Sequence, residues 1–466
     1  MDRNFVKTME AWRATGEFFA GPDPVHICRA PGRLDLMGGN DDYTGGLVFE
    51  STIRECTYAA AQKNRKGEVV VRNRSAREKG WAGELTAGPD LLLHADRLRD
   101  WVNSDPGRRW GAYVLGVLHY LYLKYPESMG AGLNIYLDSE VPLNRGVSSS
   151  AAVEVSVMKA AAAAIGVEMK GMELAQACQW VENTIAGAAC GIMDQAAVTT
   201  GRAGHVMPMV CQPCHVEELI KLPEDLHVWG IDSGVSHQVS GIEYEAARAS
   251  AFMGYKIICD KEGVGVVSEQ GVEIPRYTDA TWNGYLANLS VSAFRWHFQH
   301  LLPEVMYMEE FLEAHHFHPD PFTPLKARVA YRVLANTKYA VEENQRVISF
   351  AELSRGAAHS GSRRAYEMMG EMMYRSHVAY SECGLGSTAT DHLVSLCRSQ
   401  GIAKGIYGAK ITGGGAGGTV AILASRDAGE VVHQILRDYT EAGMGEPYLF
   451  EGSSDGADAF GVVVIP

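Results

Sequence analysis

Near the C-terminal end, Lys410-Ile411-Thr412-Gly413-Gly414-Gly415-Ala416-Gly417-Gly418-Thr419-Val420 sets five glycines in six positions between two apolar runs. A stretch with so few Cβ atoms holds no regular element of its own. It must be a tight loop whose backbone other groups can approach closely. It also satisfies GxGxxG through Gly413, Gly415 and Gly418. A dinucleotide site needs a helix directly after such a loop, with its N-terminus facing the pyrophosphate. Here Thr419-Val420-Ala421-Ile422-Leu423 has the pattern of a strand, as Lys404 to Ile411 does before the loop, so a nicotinamide-dependent dehydrogenase is excluded. A plain glycine-rich hairpin and a loop supporting a phosphate site both stay open.

Two earlier stretches punctuate the chain in a similar way: Ala30-Pro31-Gly32-Arg33-Leu34-Asp35-Leu36-Met37-Gly38-Gly39-Asn40-Asp41-Asp42-Tyr43, and Val141-Pro142-Leu143-Asn144-Arg145-Gly146-Val147-Ser148-Ser149-Ser150-Ala151-Ala152. Around the first, Val25 and Ile27 alternate with polar residues, Pro31-Gly32 breaks the run, and Leu34 and Leu36 resume it. The pattern predicts strand, turn, strand, with Arg33 and Asp35 on the face opposite the leucines. Further strands are predicted at Leu47 to Ile53, Cys56 to Ala61, Leu133 to Leu137 and Val228 to Asp232.

After the second stretch, Ser148 to Ile165 reads as an alanine-rich helix. Free amides at a helix start, with the positive end of its dipole, suit a polyphosphate, and Gly146 allows close approach. An over-supplied N-cap is the plainer reading of the three serines. No Walker sequence GxxxxGK[ST] is present. A second helix is expected from Met172 to Ile185. It carries Glu182, with Asp194 on the turn that follows, in Glu182-Asn183-Thr184-Ile185-Ala186-Gly187-Ala188-Ala189-Cys190-Gly191-Ile192-Met193-Asp194-Gln195. Carboxylates among small and apolar residues are costly unless paired or bound to metal; a helix-capping carboxylate is the bland alternative. Glu243 to Cys259 and Leu325 to Met369 read as helical. The order is mixed α+β, not a βαβ alternation.

The length of 466 residues implies two domains, divided near 210–222, taken as 1–215 and 216–466. A net charge of −14 makes the chain a poor partner for nucleic acid or an anionic membrane, so any phosphate must be held locally. Nine scattered cysteines argue against a disulfide framework and for a reducing, cytoplasmic setting. Cys211-Gln212-Pro213-Cys214 has no second CxxC to complete a zinc site. The longest apolar candidate, Val153 to Val167, is interrupted by Glu154 and Lys159, so neither a membrane span nor a signal peptide is expected. His315-His316-Phe317-His318-Pro319-Asp320 reads as a surface loop.

The three punctuated stretches, in this order, resemble the three motifs of the GHMP small-molecule kinases. That resemblance implies a two-domain α+β fold with the site in the interdomain cleft, and phosphoryl transfer from ATP to a small metabolite. The stretch from Glu182 to Gln195 resembles the galactokinase-like branch. It implies Asp194 as the catalytic aspartate facing the sugar C1 hydroxyl and Arg33 as the arginine beside it. It implies Ser150 and Glu182 as Mg²⁺ ligands, and Tyr244, in Ser240-Gly241-Ile242-Glu243-Tyr244, as a sugar contact. By the same resemblance, Gly146, Ser148, Ser149, Ser150, Ala151 and Gly414 are expected to hold ATP, and Gly39, Asn40, Asp42 and Gly191 to face the sugar.

Galactokinases carry Glu-His where this chain has Gly39-Asn40, and that pair helps bind the sugar hydroxyls, the one on C6 included. Matching stretches at Gly32 to Gly46, Glu182 to Gln195, Met209 to Pro213, Trp229 to Gly234, Cys383 to Val394 and Tyr407 to Val420 resemble the arabinokinase type more closely. A pentose lacks C6, so the lost carboxylate fits L-arabinose, and Gly39→Glu is expected to raise relative activity on galactose. Asn40-Asp41 departs from that type and puts two polar groups near the sugar. Galactokinase proper, a kinase of another sugar such as glucuronate, and a non-catalytic sugar sensor stand as alternatives. The intact set Arg33, Ser150, Glu182 and Asp194 speaks against the sensor. The oligomeric state is not legible.

Overall fold

The computed structural model describes residues 3–235, 241–272 and 274–466; Ser240, which opens the Tyr244 stretch, lies outside them. Two sheets organise the chain. The first has nine strands. Its main path runs Val463–Ile465, Val25–Met37, Leu47–Lys63, Leu133–Ser139, Val69–Asn73, Glu84–Ala87. The second has four, in the order Ile406–Ile411, Thr419–Ser425, Leu226–Asp232, Tyr448–Glu451. The last strand of the chain thus returns to the first sheet, antiparallel to Val25–Met37.

Pro31-Gly32 makes no turn. Val25–Met37 is one continuous strand with a register shift between Pro31 and Arg33. Proline donates no ladder hydrogen bond and is tolerated at such a bulge, which re-aims the next side chain. The backbone here also leaves the ladder to meet another loop, Arg33 N–H donating to the Val147 carbonyl at 3.2 Å. The two strands expected at 47–53 and 56–61 are likewise one, Leu47–Lys63. Its first half pairs with His205–Val210 and its second with Leu133–Ser139, so both ends have a neighbour and the strand need not break.

The helix Ser149–Ile165 packs on this sheet with alanines at its buried positions, which lets backbone and sheet come close, and Gly166 ends it in a left-handed C-cap. The region expected as helical from Leu325 begins only at Val333. Pro324 and the positive φ of Arg328 keep the preceding residues irregular. Gly361 then divides the rest into Val333–Ser360 and Arg363–Cys383, which lie against each other. The glycine loop joins two strands, as its flanks predicted. No helix among the described residues is long and apolar enough to cross a membrane.

Candidate active site

The three punctuated loops meet. Arg33 Nη1 donates to the Gly146 carbonyl at 2.7 Å. Asp35 N–H donates to Thr412 Oγ1 at 2.6 Å, and Thr419 Oγ1 to the Arg145 carbonyl at 2.8 Å. A Cβ on Gly413 would lie 2.8 Å from the Gly146 carbonyl oxygen and 3.3 Å from Arg33 Nη2, at a φ of +68°. Glycine at 413 is therefore required twice, by the close approach and by the left-handed backbone.

Arg33 then reaches Asp194. Its Nε and Nη2 both donate to Asp194 Oδ1, at 3.0 and 2.6 Å. Asp194 Oδ2 is left out of that pair, and the Asp194 side chain keeps 24 % of its exposure while Arg33 keeps 3 %. Burial works against the guanidinium charge, and Asp194, Glu50 and Asp35 around it outweigh that, so Arg33 is held charged. Asp194 does not sit on a loose turn: it occupies the first turn of the helix Met193–Thr200. The helix carrying Glu182 also ends sooner than expected, at Val181, and Glu182 opens a wide π-type turn, Glu182–Ala186.

Ser148 has a left-handed φ of 59° and makes no side-chain cap. Its Oγ is buried without a partner. The first bond of the helix is Ala152 N–H to the Ser148 carbonyl at 3.1 Å, so the amides of Ser149, Ser150 and Ala151 have no carbonyl within the helix to bond. Ser149 and Ser150 are half-buried, Gly146 has a φ of +70°, and Gly414 lies half-buried on the third loop. An orphan hydroxyl, free amides and a left-handed approach form a cradle for a polyphosphate.

The Ser150 hydroxyl hydrogen-bonds Glu182. Burial, then the Asp194 charge, pushes the Glu182 carboxyl up to about 7. Behind it is a carboxylate that the sequence marks only as a break in an apolar run. Glu154 is wholly buried on the 149–165 helix, and the Gln195 amide bridges it at 3.4 Å and Glu182 at 2.5 Å. Burial and Glu182 raise Glu154 well above the usual range. A pocket of under-compensated carboxyls beside free amides suits a hard divalent cation that bridges to phosphate oxygens. Among the described residues no group of three or more His, Cys, Asp or Glu is arranged to hold a metal alone.

On the sugar side, Asp42 packs so closely on Gly191 that a Cβ there would sit 1.9 Å from Asp42 Oδ2. Burial and Asp194 push Asp42 up to about 7. Asn40 is buried with neither side-chain polar atom partnered. Asp41 turns away: its carboxylate accepts from Thr44 and its carbonyl closes a turn with Gly46 N–H. Tyr244 is buried, its hydroxyl donating to the Ala189 carbonyl at 3.3 Å.

Gly39 needs a correction. A Cβ there would meet Tyr380 Oη at 2.0 Å and Asp35 Oδ2 at 2.4 Å. Tyr380 is itself held by donating to the Gly413 carbonyl at 2.8 Å. Position 39 has no room for a glutamate arm, so Gly39→Glu is not a simple swap of sugar preference. The 315–320 stretch also departs from a surface loop. His318 Nε2 bonds the Ala249 carbonyl at 3.1 Å, and Asp320 is buried against Arg248 in a two-pronged pair at 2.8 and 3.0 Å.

Fold and site together define a phosphotransferase for small metabolites. The description of the GHMP kinases' N-terminal domain matches residues 112–202, that of their C-terminal domain 354–441, and a galactokinase galactose-binding signature 16–63. L-Arabinokinase of Arabidopsis thaliana is 34 % identical over 98 % of this chain, which spans 48 % of that protein, about half its length. A galactokinase of Chloroflexus aurantiacus is 30 % identical over 89 % of this chain and 87 % of its own. The solved Lactococcus lactis galactokinase complexed with galactose superposes with a TM-score of 0.74 at 19 % identity, over 97 % of this chain and 98 % of its own. The chain belongs to the GHMP kinase family, among sugar kinases of the galactokinase and L-arabinokinase type.

Proposed function

We propose that this chain is an ATP-dependent sugar 1-kinase acting on the anomeric hydroxyl of an uncharged monosaccharide, L-arabinose before D-galactose. One observation carries the reading: Arg33 and Asp194 pair where the three loops meet, and the free amides of Ser149 to Ala151 open from the same junction. Asp194 Oδ2, outside the arginine pair, accepts the C1 hydroxyl proton as that oxygen attacks the γ-phosphorus and ADP departs. Arg33 offsets the charge that builds there. Phosphoryl transfer has a loose transition state, so holding the acceptor in line counts for as much as removing its proton. Mg²⁺, when bound, would be held by Ser150 and Glu182 and would neutralise charge on the phosphates. Asp42, Asn40 and Tyr244 are the side chains proposed to orient the sugar.

The pentose preference rests on Gly39, where Tyr380 fills the space a C6-binding carboxylate would need. Glucuronate is disfavoured because the guanidiniums of Arg33 and Arg248 are already paired with aspartates and leave its carboxylate no counter-charge. ADP release over L-arabinose, D-galactose and D-glucuronate tests the reading. Turnover is expected in that order, with none on glucuronate. Sugar binding without ADP release on any of them would make the chain a sensor.

A further inference from the structure

A cavity of about 340 Å³ lies beside the catalytic centre but is not part of it. Asp42 and Gly191 form the wall common to both, while Arg33, Asp194 and Tyr244 do not line it. Its far wall comes from Tyr277, Tyr285 and Phe322. These belong to a segment between the helices Ile242–Glu262 and Val333–Ser360, whose Phe294, Phe298 and Phe311 share one apolar core with residues of both helices, such as Met253 and Val341. That segment falls outside all three stretches matched by the family descriptions. The volume is in the range of small-molecule sites, which are mostly apolar with a few placed polar groups.

The charges in the wall are spent. Arg248 gives Nε and Nη2 to Asp320 and Nη1 to the Ala189 carbonyl. Its guanidinium lies between the rings of Tyr43 and Phe322, 5.0 and 5.4 Å from their centres. Arg276 pairs with Glu269, donates to the Asn283 carbonyl at 3.2 Å and stacks on Tyr285. With both cations satisfied and Asp42 present, an anionic ligand finds no counter-charge. What is left over is acceptor capacity. Asn183 gives its amide N–H groups to the Ala188 and Cys190 carbonyls at 2.8 and 3.2 Å, which fixes its orientation. Asn183 Oδ1 is buried with no partner, and Gln179, on the helix Gly171–Val181, stands beside it in the same wall. Aromatic faces, an orphan amide oxygen and a carboxylate, with no spare cation, suit a ring that is apolar on its faces and donates hydroxyls at its rim.

We propose that this cavity is a second carbohydrate subsite, which holds an uncharged polyhydroxylated ring against Tyr277, Tyr285 and Asn183, next to Asp42. The inference rests on the sugar-kinase reading of the neighbouring centre. The ring has two possible sources: a second unit attached to the substrate, or a free second monosaccharide. Isothermal titration of the full chain with L-arabinose and with 3-O-L-arabinosyl-L-arabinose separates them, in the wild type and in Gln179→Trp, which fills the cavity from the helix side.

For an attached ring, the disaccharide binds one to one, at least about tenfold tighter than the monosaccharide, and Gln179→Trp removes that gain while monosaccharide binding stays. For a free ring, L-arabinose titrates two sites in the wild type and one in the variant. A wild-type chain that phosphorylates L-arabinose, binds one equivalent, and gains nothing from the second ring overturns the subsite and leaves the kinase reading standing. That outcome is read on the wild type alone, so a misfolded variant does not rescue the proposal. Absence of turnover on any monosaccharide would instead strike the kinase reading.

Discussion

Two of the ion pairs where the loops converge differ in one respect. Lys410 Nζ and Asp35 Oδ2 are 2.6 Å apart, with both side chains at 0 % exposure. Arg33 Nη2 and Asp194 Oδ1 are also 2.6 Å apart, but Asp194 keeps 24 %. The first pair is dry on every side. It ties the strand Val25–Met37 to the strand Ile406–Ile411, and so one sheet to the other. The second leaves a carboxylate oxygen uncommitted. Equal distances therefore carry unequal roles: the dry pair holds the loops in register, and the open one has an oxygen available for chemistry.

Exchanging the open pair should cost activity and little else. Asp194→Asn keeps the shape and removes the base. It is expected to lower kcat by roughly 10²-fold or more, with sugar affinity and thermal midpoint close to wild type. Arg33→Lys keeps charge but loses the fork that puts two donors on one oxygen, and is expected to follow in the same direction. An active Asp194→Asn enzyme in the ADP-release assay would erase the distinction between the pairs.

Breaking the dry pair should do the reverse. Lys410→Met leaves Asp35 buried without its partner and is expected to destabilise the chain by roughly 3–5 kcal/mol, read from denaturant midpoints. Adding Asp35→Leu to Lys410→Met removes the orphaned charge and should recover much of the loss. A lone Lys410→Met variant of wild-type stability would mean that the seam is held by other contacts, such as Asp35 N–H to Thr412 Oγ1 at 2.6 Å.

These pairs also mark how far the sequence could be read. Arg33, Ser150, Glu182 and Asp194 stand out in the sequence because the stretches that carry them resemble those of a kinase family; serine run and helix end alone leave plainer readings open. Lys410 with Asp35, Glu154 with Gln195, and Arg248 with Asp320 do not. Their partners lie far apart along the chain, and only tertiary packing brings them together. The strand–turn–strand expectation at Pro31-Gly32 failed for a related reason. The two residues have turn propensity, but a neighbouring strand on one side and the Val147 carbonyl on the other hold them extended. The 315–320 stretch looked solvent-exposed from its prolines, yet the buried Arg248 supplies Asp320 with a partner.

Gly39 lies against the dry pair, because the space its Cβ would take belongs to Asp35 and to Tyr380. Gly39→Glu is expected to lower kcat/KM on L-arabinose and on galactose together, with their ratio nearly unchanged, and to cost roughly 1–3 kcal/mol of stability by overpacking. Tyr380→Phe removes the nearest atom, so Gly39→Ala in that background should be milder than Gly39→Ala alone. A clean shift toward galactose in Gly39→Glu would show that Tyr380 yields and that a carboxylate at position 39 can still reach the sugar.

The smallest effect tests whether the open side of the site carries a cost that the dry side does not. Burial, reinforced by the Asp194 charge, raises the Asp42 carboxyl from 3.8 to about 7, against the opposing pull of Arg248. The folded chain therefore holds a proton that the unfolded chain releases near pH 4. The sign follows from linkage: the contribution is fully present below about pH 4 and is lost as pH rises through 7, because the folded state then carries a buried charge. Glu182, also raised to about 7, adds to the same slope, so the informative quantity is a difference between proteins. Between pH 5 and 8, without ligands, the melting temperature of the wild type should fall relative to Asp42→Asn by on the order of a few degrees. Asparagine fills the same space and does not titrate. Parallel curves for the two proteins would mean that Asp42 ionises at no net cost, and the strain assigned to the open side would have to rest on Glu182 alone.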